Sequence, residues 1–529
     1  MNTAFFRSLI IFGVCVVLAI WLGLSLAGQL TYSSLLIYAF LGFILVFPLL
    51  LRWHYPLLLL SWNMMVVVLF MPGRPQVCLP LIALSLFISV LQRMISRESQ
   101  FINVPQIILP LLFMMAVVLV TAKMTGFGLH VFGAAVYGGR KYFYLLAGII
   151  GYFALSARRT PPERVNLYLG LYFLGGVTNV MGDLIPLLPH WGYYLFYVFQ
   201  PSIGFFQNTG PNAEATRLEG TRVMCLFIFW YMMARYGIRG MFLSRKPWRW
   251  VIFGGFFVLG LFGGFRGYVI ICGLLFAIQF FLEGLHKTRL MPIFTVAGVL
   301  GALALIPLAE HLPYTFQRAL TFLPYKVSTA ARMDAQASWD WRVNMWEGLL
   351  PQIPQYLLLG KGYTISPQDY DFVMGPEAAV RNTFAENQGL ALAEDFHSGP
   401  ISTIIPFGIW GCLGLLWLLA AGTWALYRNY RYGDSALQTV NTFLLAAFVG
   451  ETIFFLFGFG DLASDMMKFT GLLGLSVSFN NGVRQPVRVV QPARDWDRPR
   501  RLPSPPPAPV PAFQRQQPGP SRQGGSTVW

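Results

Sequence analysis

The strongest constraint on this chain is repetition: apolar runs of about 20 residues, the length a helix needs to cross roughly 30 Å of hydrocarbon, recur from one end to the other. Such runs lie near 8–27, 32–51, 55–72, 77–92, 105–121, 142–156, 167–186, 220–236, 248–265, 267–283, 291–308, 401–426, 437–459 and 464–480. They are continuously apolar and do not alternate, so they fit helices, which satisfy their own backbone, and not the strands of a barrel. Only 11% of the 529 residues are charged, against roughly 25% in soluble domains. The expected fold is therefore an all-α polytopic membrane protein with about 12–14 transmembrane helices. The first run follows Arg7 in the manner of a signal peptide, but the apolar segments after it favour an uncleaved first span.

Three further divisions follow. Residues 1–308 are dense in spans, 309–400 form one long polar loop, and 401–480 hold the last spans. The tail 481–529, rich in Pro, Arg, Gln, Gly and Ser, has little to bury and is expected to be disordered, partly polyproline II. The net charge of +16 does not indicate a nucleic-acid partner, because the basic residues concentrate in short loops between spans and in the tail. Arg93 and Arg97 mark one loop, and Arg158, Arg159 and Arg164 another. Arg235, Arg239, Arg245, Lys246 and Arg249 form the heaviest group, followed by Lys287 with Arg289 and Arg428 with Arg431. An even number of spans separates these groups, so the positive-inside rule assigns them and both termini to the cytoplasm. Lys123, Arg140 and Lys141 depart from that alternation. Cys15, Cys78, Cys225, Cys272 and Cys412 all lie in apolar runs as packing residues, without metal-ligand spacing or a disulfide framework.

The long loop, which the alternation puts outside, is not a linker. It carries Trp339, Trp341, Trp346, Tyr356 and Phe384, turn signals at Gly360-Lys361-Gly362 and Ser366-Pro367, and helical apolar spacing in RVNMWEGLLPQI and NTFAENQGLALAEDF. Short amphipathic helices over the outer mouth of the bundle are expected. His397 ends this loop, where the chain re-enters the membrane. An imidazole, with an ordinary pKa of about 6.5, suits general-base work there, although an interfacial histidine satisfied by backbone would look the same. Gly408 and Gly411 share a helix face and would admit a neighbouring helix. Arg266 lies in a tight outer turn, Gly263-Gly264-Phe265-Arg266-Gly267. A guanidinium at membrane depth costs at least a few kcal/mol and favours a charged partner, the alternative being a snorkelling helix end. Arg342 opens a helix-like run in the loop and could instead pair with Asp340 or Glu347. Asp369-Tyr370-Asp371 is too short to argue for metal-dependent transfer, and the first outer loop, Gly28-Gln29-Leu30-Thr31, lacks the acid of many lipid-phosphate glycosyltransferases. Glu451 is read as mid-span, hydrogen-bonded or on a proton path; Asp461, Asp465 and Lys468 are read as lining the outer mouth.

The sequence His397-Ser398, nine residues, then Gly408-Ile409-Trp410-Gly411, ending the large outer loop, resembles the signature of bacterial O-antigen ligases. Their superfamily also holds O-antigen polymerases and protein O-oligosaccharyltransferases. The likeness spans about 140–480 and is architectural outside the motifs. It implies a metal-independent, cofactor-free glycosyltransferase of the bacterial inner membrane, working in a periplasmic loop. The donor would be a glycan on undecaprenyl diphosphate. The acceptor would be lipid A–core, a growing polysaccharide or a protein. The resemblance assigns His397 the role of base and puts Arg266 and Arg342 on the diphosphate. Arg217, Arg222 and Ser398 become secondary substrate contacts, although Pro211-Asn212 precedes Arg217 where the family's Pro-Asn follows it. Spacing after His397 leans towards a ligase; the extra spans and the tail keep an O-antigen or exopolysaccharide polymerase close. The rival of another class is a polysaccharide transporter or flippase, with charges along a central route and helices broken at mid-depth.

Overall fold

The computed structural model describes residues 32–69, 71, 73–95, 101–128, 138–202, 217–365 and 396–486, with single positions 16, 20 and 23. Among them regular structure is helical, apart from isolated bridges between Val66 and Phe199 and between Val67 and Gln76. The main helices are α1 (Tyr32–Ser61), α2 (Cys78–Ile95), α3 (Pro105–Thr125), α4 (Gly139–Ser156), α5 (Val165–Leu174), α6 (Glu219–Phe242) and α7 (Trp248–Gly260). They continue with α8 (Arg266–Leu282), α9 (Leu290–Leu308), α10 (Tyr314–Ala319), α11 (Thr329–Leu349), α12 (Gly399–Tyr432), α13 (Gln438–Phe457) and α14 (Leu462–Asn480). Helices α2, α3, α9, α12 and α13 lie in apolar segments long enough to cross a membrane, and α7 and α8 are shorter apolar helices. The protein is all-α and suited to a bilayer. No residue of α9 is buried, as expected of an apolar helix facing lipid.

Two expected spans take another form. The runs 32–51 and 55–72 share one helix, α1, which continues through Pro48 and Pro56 and stops at Ser61. Beyond it the valines Val66–Val68 pair as extended backbone with Val198 and Pro75. Gly73 and Arg74 adopt positive φ there, a turn chemistry that apolarity alone does not reveal. The run 167–186 is α-helical to Leu174, tightens into a 3-10 helix over Gly175–Val180 and returns to α-helix only for the single turn Met181–Leu184. Gly175 and Gly176 admit the Leu60 carbonyl and the Phe227 ring, which a side chain would block.

Small residues set the centre. Helices α4 and α14 run side by side in the same direction: Gly148 faces the backbone of Met466 and Met467, and Gly474 faces Leu155. Trp62 fills the space left by Gly151 and Gly471. Close approach over glycine is how helices pack in lipid, where dispersion replaces the hydrophobic drive. One end is closed by buried polar groups. Asn441 and Asn480 exchange amide hydrogen bonds of 2.9 and 2.7 Å, and Asn429 donates to Ser476 and Gly482. Tyr55 and Thr160 meet at Ser478. The basic loops gather at this end, with Arg239 on Glu283 and Arg428 on Arg484. The chain divides into Met1–Gln485 and Pro486–Trp529. Asn481–Gln485 therefore belongs to the first unit, and the rest of the expected tail, from 487, lies outside the described residues.

Gly408 admits a close neighbour, the backbone of Tyr356 and Leu357. It breaks α12 at φ 61 and ψ −157, a conformation essentially restricted to glycine. The break frees backbone groups, and a strap at 357–362 takes them up. Lys361 N–H donates to Ile405 O at 2.8 Å, Gly362 N–H to Pro406 O at 3.0 Å, and Ile409 N–H to Leu357 O at 2.7 Å. A Cβ on Gly408 would meet the Leu357 carbonyl at 2.5 Å; Gly411 faces only Phe407 and Thr403 of its own helix. Gly408→Ala should cost on the order of 1–3 kcal/mol and release the strap. The check is a lowered melting temperature in detergent together with faster proteolysis between Leu357 and Gly362; a variant as stable and resistant as wild type contradicts the stitched break.

Candidate active site at the opposite end of the bundle

At the other end α4, α6, α8, α12 and α14 all begin. Lys141 of α4 reaches Asp461 before α14 at 3.8 Å. Leu462 N–H donates to the Ser402 hydroxyl of α12. Leu218 before α6 donates to Phe262 before α8, and Gly267 lies against Phe454 of α13. Five helix N-termini therefore point their positive dipole ends at one region.

Arg266 is the first residue of α8, reached through Gly264 in a left-handed turn. Its Nη2 donates to Ala335 O of α11 at 3.2 Å. Two helical turns further along α11 comes Arg342, on the same face. Burial lowers the pKa of Arg342, and the charge of Arg266 lowers it further. Among the described residues Arg342 pairs with neither Asp340 nor Glu347; its guanidinium lies 6.0 Å from the Trp341 ring centre.

His397 arrives against α11 on a strained turn, with φ 50. Positive φ is uncommon for a residue with a Cβ and is held only where surroundings dictate it. Here Trp346 Nε1 donates to Phe396 O at 2.8 Å, tying the turn to α11. The His397 ring lies between Trp341 (5.1 Å) and Phe459 (5.0 Å). The neighbour Ser398 precedes α12 without a capping side-chain bond, while its carbonyl accepts from Ser402 N–H.

Arg217 and Arg222 enter differently. Arg222 pairs with Glu219 at 3.6 Å and lies over Phe265, packed against Gly263 of the Arg266 turn. Arg217 reaches Asp334 of α11 at 3.4 Å. Asp334 also pairs with Arg318 at 2.6 Å and accepts from the Tyr314 hydroxyl at 3.2 Å. Sequence reading missed Arg318, Asp334 and Tyr314, since α10 and the start of α11 meet only in the fold. Burial first and Arg217 second push the Arg318 guanidinium down to about 10, against the raising effect of Asp334; it remains a cation at neutral pH.

Glu451 is not mid-span. It lies less than two turns from the end of α13 at Phe457, buried, with Lys468 Nζ at 3.6 Å. Lys468 also holds Asp465 at 2.8 Å, and Asp465 accepts from Asp461 N–H. Lys468→Met should strand the Glu451 carboxylate and destabilise the fold by about 3 kcal/mol. Adding Glu451→Gln should recover much of that loss in thermal unfolding; additive losses would argue that the pair is not coupled.

Residues 203–216, including Thr209-Gly210-Pro211-Asn212, and 366–395, including Asp369-Tyr370-Asp371, Phe384 and most of NTFAENQGLALAEDF, lie outside the described residues. No group of three His, Cys, Asp or Glu able to hold a metal occurs among the described residues. No family model matches this chain, and no curated protein matches it.

Proposed function

We propose that this chain transfers a glycan from an undecaprenyl-diphosphate carrier to an acceptor hydroxyl, in the manner of an O-antigen ligase. The basic loops at one end take the cytoplasmic side by the positive-inside rule, which turns the His397 end to the periplasm of a bacterial inner membrane. The observation that carries this reading is convergence. Arg266 from a tight turn bonds to Ala335 of α11, Arg342 lies two turns along the same helix, and the ring of His397 from the loop's end packs on Trp341 beside it, although the three are far apart in sequence.

Each group has a step. The acceptor hydroxyl gives its proton to the His397 imidazole as its oxygen attacks the anomeric carbon. The bond from that carbon to the diphosphate oxygen breaks and its electron pair stays on the oxygen. Arg266 and Arg342 stabilise the charge that develops there, as preorganised cations do for phosphate leaving groups. Direct displacement inverts the anomeric carbon, and no step calls for a metal or another cofactor. An apolar groove of about 740 Å³ between α8, α12 and α13, lined by Ile278, Leu416, Leu419, Leu445, Val449 and Leu456, offers a bed for part of the carrier's hydrocarbon. Lipid A–core is the acceptor favoured by the spacing after His397; a growing polysaccharide, making the chain a polymerase, uses the same chemistry.

Broken helices favour a second reading, a glycan transporter or flippase, because carriers bind substrate at such breaks. Here the freed backbone is already engaged. The strap closes the Gly408 break, and Glu283 accepts from Ile238 and Arg239 at the Gly237 break. Single alanine variants of His397, Arg266 and Arg342, each confirmed in the membrane, should lose surface glycan attachment or chain growth. Retained activity in all three removes the proposal.

A further inference from the structure

The arginine cluster holds more charge than the proposed chemistry has used. Among the described residues Arg217 and Arg318 both pair with one carboxylate, Asp334, and Arg266 bonds to the carbonyl of the next residue, so three cations gather about one anion. Arg217, Arg318 and Tyr314 all converge on the same oxygen, Oδ2. Arg318 is 9% exposed whereas Asp334 is 33% exposed, so the cation is fixed and the carboxylate is reachable from solvent. Asp334 and Ala335 are adjacent, which brings the Arg217–Arg318 pair and Arg266 to one turn of α11.

We propose that Asp334 is an internal stand-in for a phosphate: it holds Arg217 and Arg318 in the unliganded protein and yields them to the diphosphate as the glycan leaves. The inference rests on the proposed diphosphate donor. A diphosphate esterified at both ends carries two negative charges. Once the sugar departs, the terminal phosphate alone carries roughly 1.5–2, bringing the total to about three. The Arg217, Arg266 and Arg318 guanidiniums therefore meet more negative charge on the leaving group than on the donor, which is the difference that accelerates a reaction. The carboxylate keeps the guanidiniums in place beforehand, so their ordering is not charged to the transition state. It also competes with product and speeds its release. Asp334 is thus a positioning residue, and Arg217 and Arg318 form a second half of the anion site.

The test is binding of inorganic pyrophosphate to the full chain in nanodiscs at low salt, followed by calorimetry. Asp334→Asn should bind about tenfold tighter than wild type, because a competing charge is gone. Asp334→Glu should stay near wild type, and Arg318→Ala and Arg217→Ala should each bind at least about tenfold more weakly. A merely structural carboxylate would not raise affinity when replaced. Equal or weaker binding by a folded Asp334→Asn overturns the inference. So does unchanged binding in both Arg217→Ala and Arg318→Ala, whether or not the Asn variant folds. Binding that depends on Arg266 but ignores residues 217, 318 and 334 defeats this inference alone. Wild type that binds no pyrophosphate defeats it together with the diphosphate reading.

Discussion

His397→Ala should lower the transfer rate by about 10²–10⁴, the range that a positioned general base contributes. The loss should fall on turnover while donor affinity holds, because the arginines proposed to bind the diphosphate remain. The turn at His397 complicates the alanine variant: at φ 50 a residue with a Cβ is strained whether or not it acts in catalysis. His397→Asn is the cleaner replacement, since asparagine tolerates left-handed backbone and keeps a hydrogen-bonding group but has no basic nitrogen. Both variants should keep the wild-type melting temperature to within a few degrees, because α12 is anchored by the strap and by Phe455 beside Gly399, independently of the imidazole. An Asn variant with more than about a tenth of wild-type turnover would remove the base from the mechanism.

The second large effect belongs to Arg342. Its guanidinium is half-buried without a carboxylate partner among the described residues, an arrangement that costs stability unless an anion repays it. Arg342→Ala should therefore slow transfer by about 10²–10³ and leave the fold as stable or slightly more so. Arg342→Lys should restore only part of the rate, because an ammonium cannot present two parallel donors to a phosphate. Arg266→Ala should be comparably slow but also less stable, since it loses the bond to Ala335 that docks α11. The double variant should fall short of the product of the two losses, as expected of residues acting on one group. Stability that drops with Arg342→Ala would mean the charge is structural.

The sequence revealed the parts of the fold that depend on apolar length. Helices such as α3, α8, α9 and α14 lie where the runs lie, because a continuous apolar stretch in lipid has few alternatives to a helix. It misled where glycine governed the backbone. Gly175-Gly176 turns a run into 3-10 coil, and Gly408, read as a packing face, also breaks α12. Apolarity is blind to φ. The site was legible as single residues: Arg266 at a turn, Arg342 before Trp346 and His397 at a loop end each stood out by position. Their convergence was not legible, because it depends on α11 lying across the end of the bundle. Arg318 and Asp334 stayed hidden for the same reason. They are an ordinary arginine and aspartate in an ordinary loop until α10 brings one to the other. Glu451 misled in a simpler way: a span assigned as 437–459 put it deeper than the helix end at Phe457 allows.

The central claim, glycan transfer from a polyprenyl diphosphate by a histidine and a pair of arginines, is tested most directly by reconstitution. The full chain in nanodiscs is given an undecaprenyl-diphosphate-linked glycan with a fluorescent tag and a lipid A–core acceptor, and products are followed with and without EDTA. The account predicts a tagged acceptor of inverted anomeric configuration, free undecaprenyl diphosphate in equal amount, no effect of EDTA, and loss of both products in His397→Asn. Undiminished release of undecaprenyl diphosphate by His397→Asn, or transport of the intact donor across the bilayer without transfer, would contradict it.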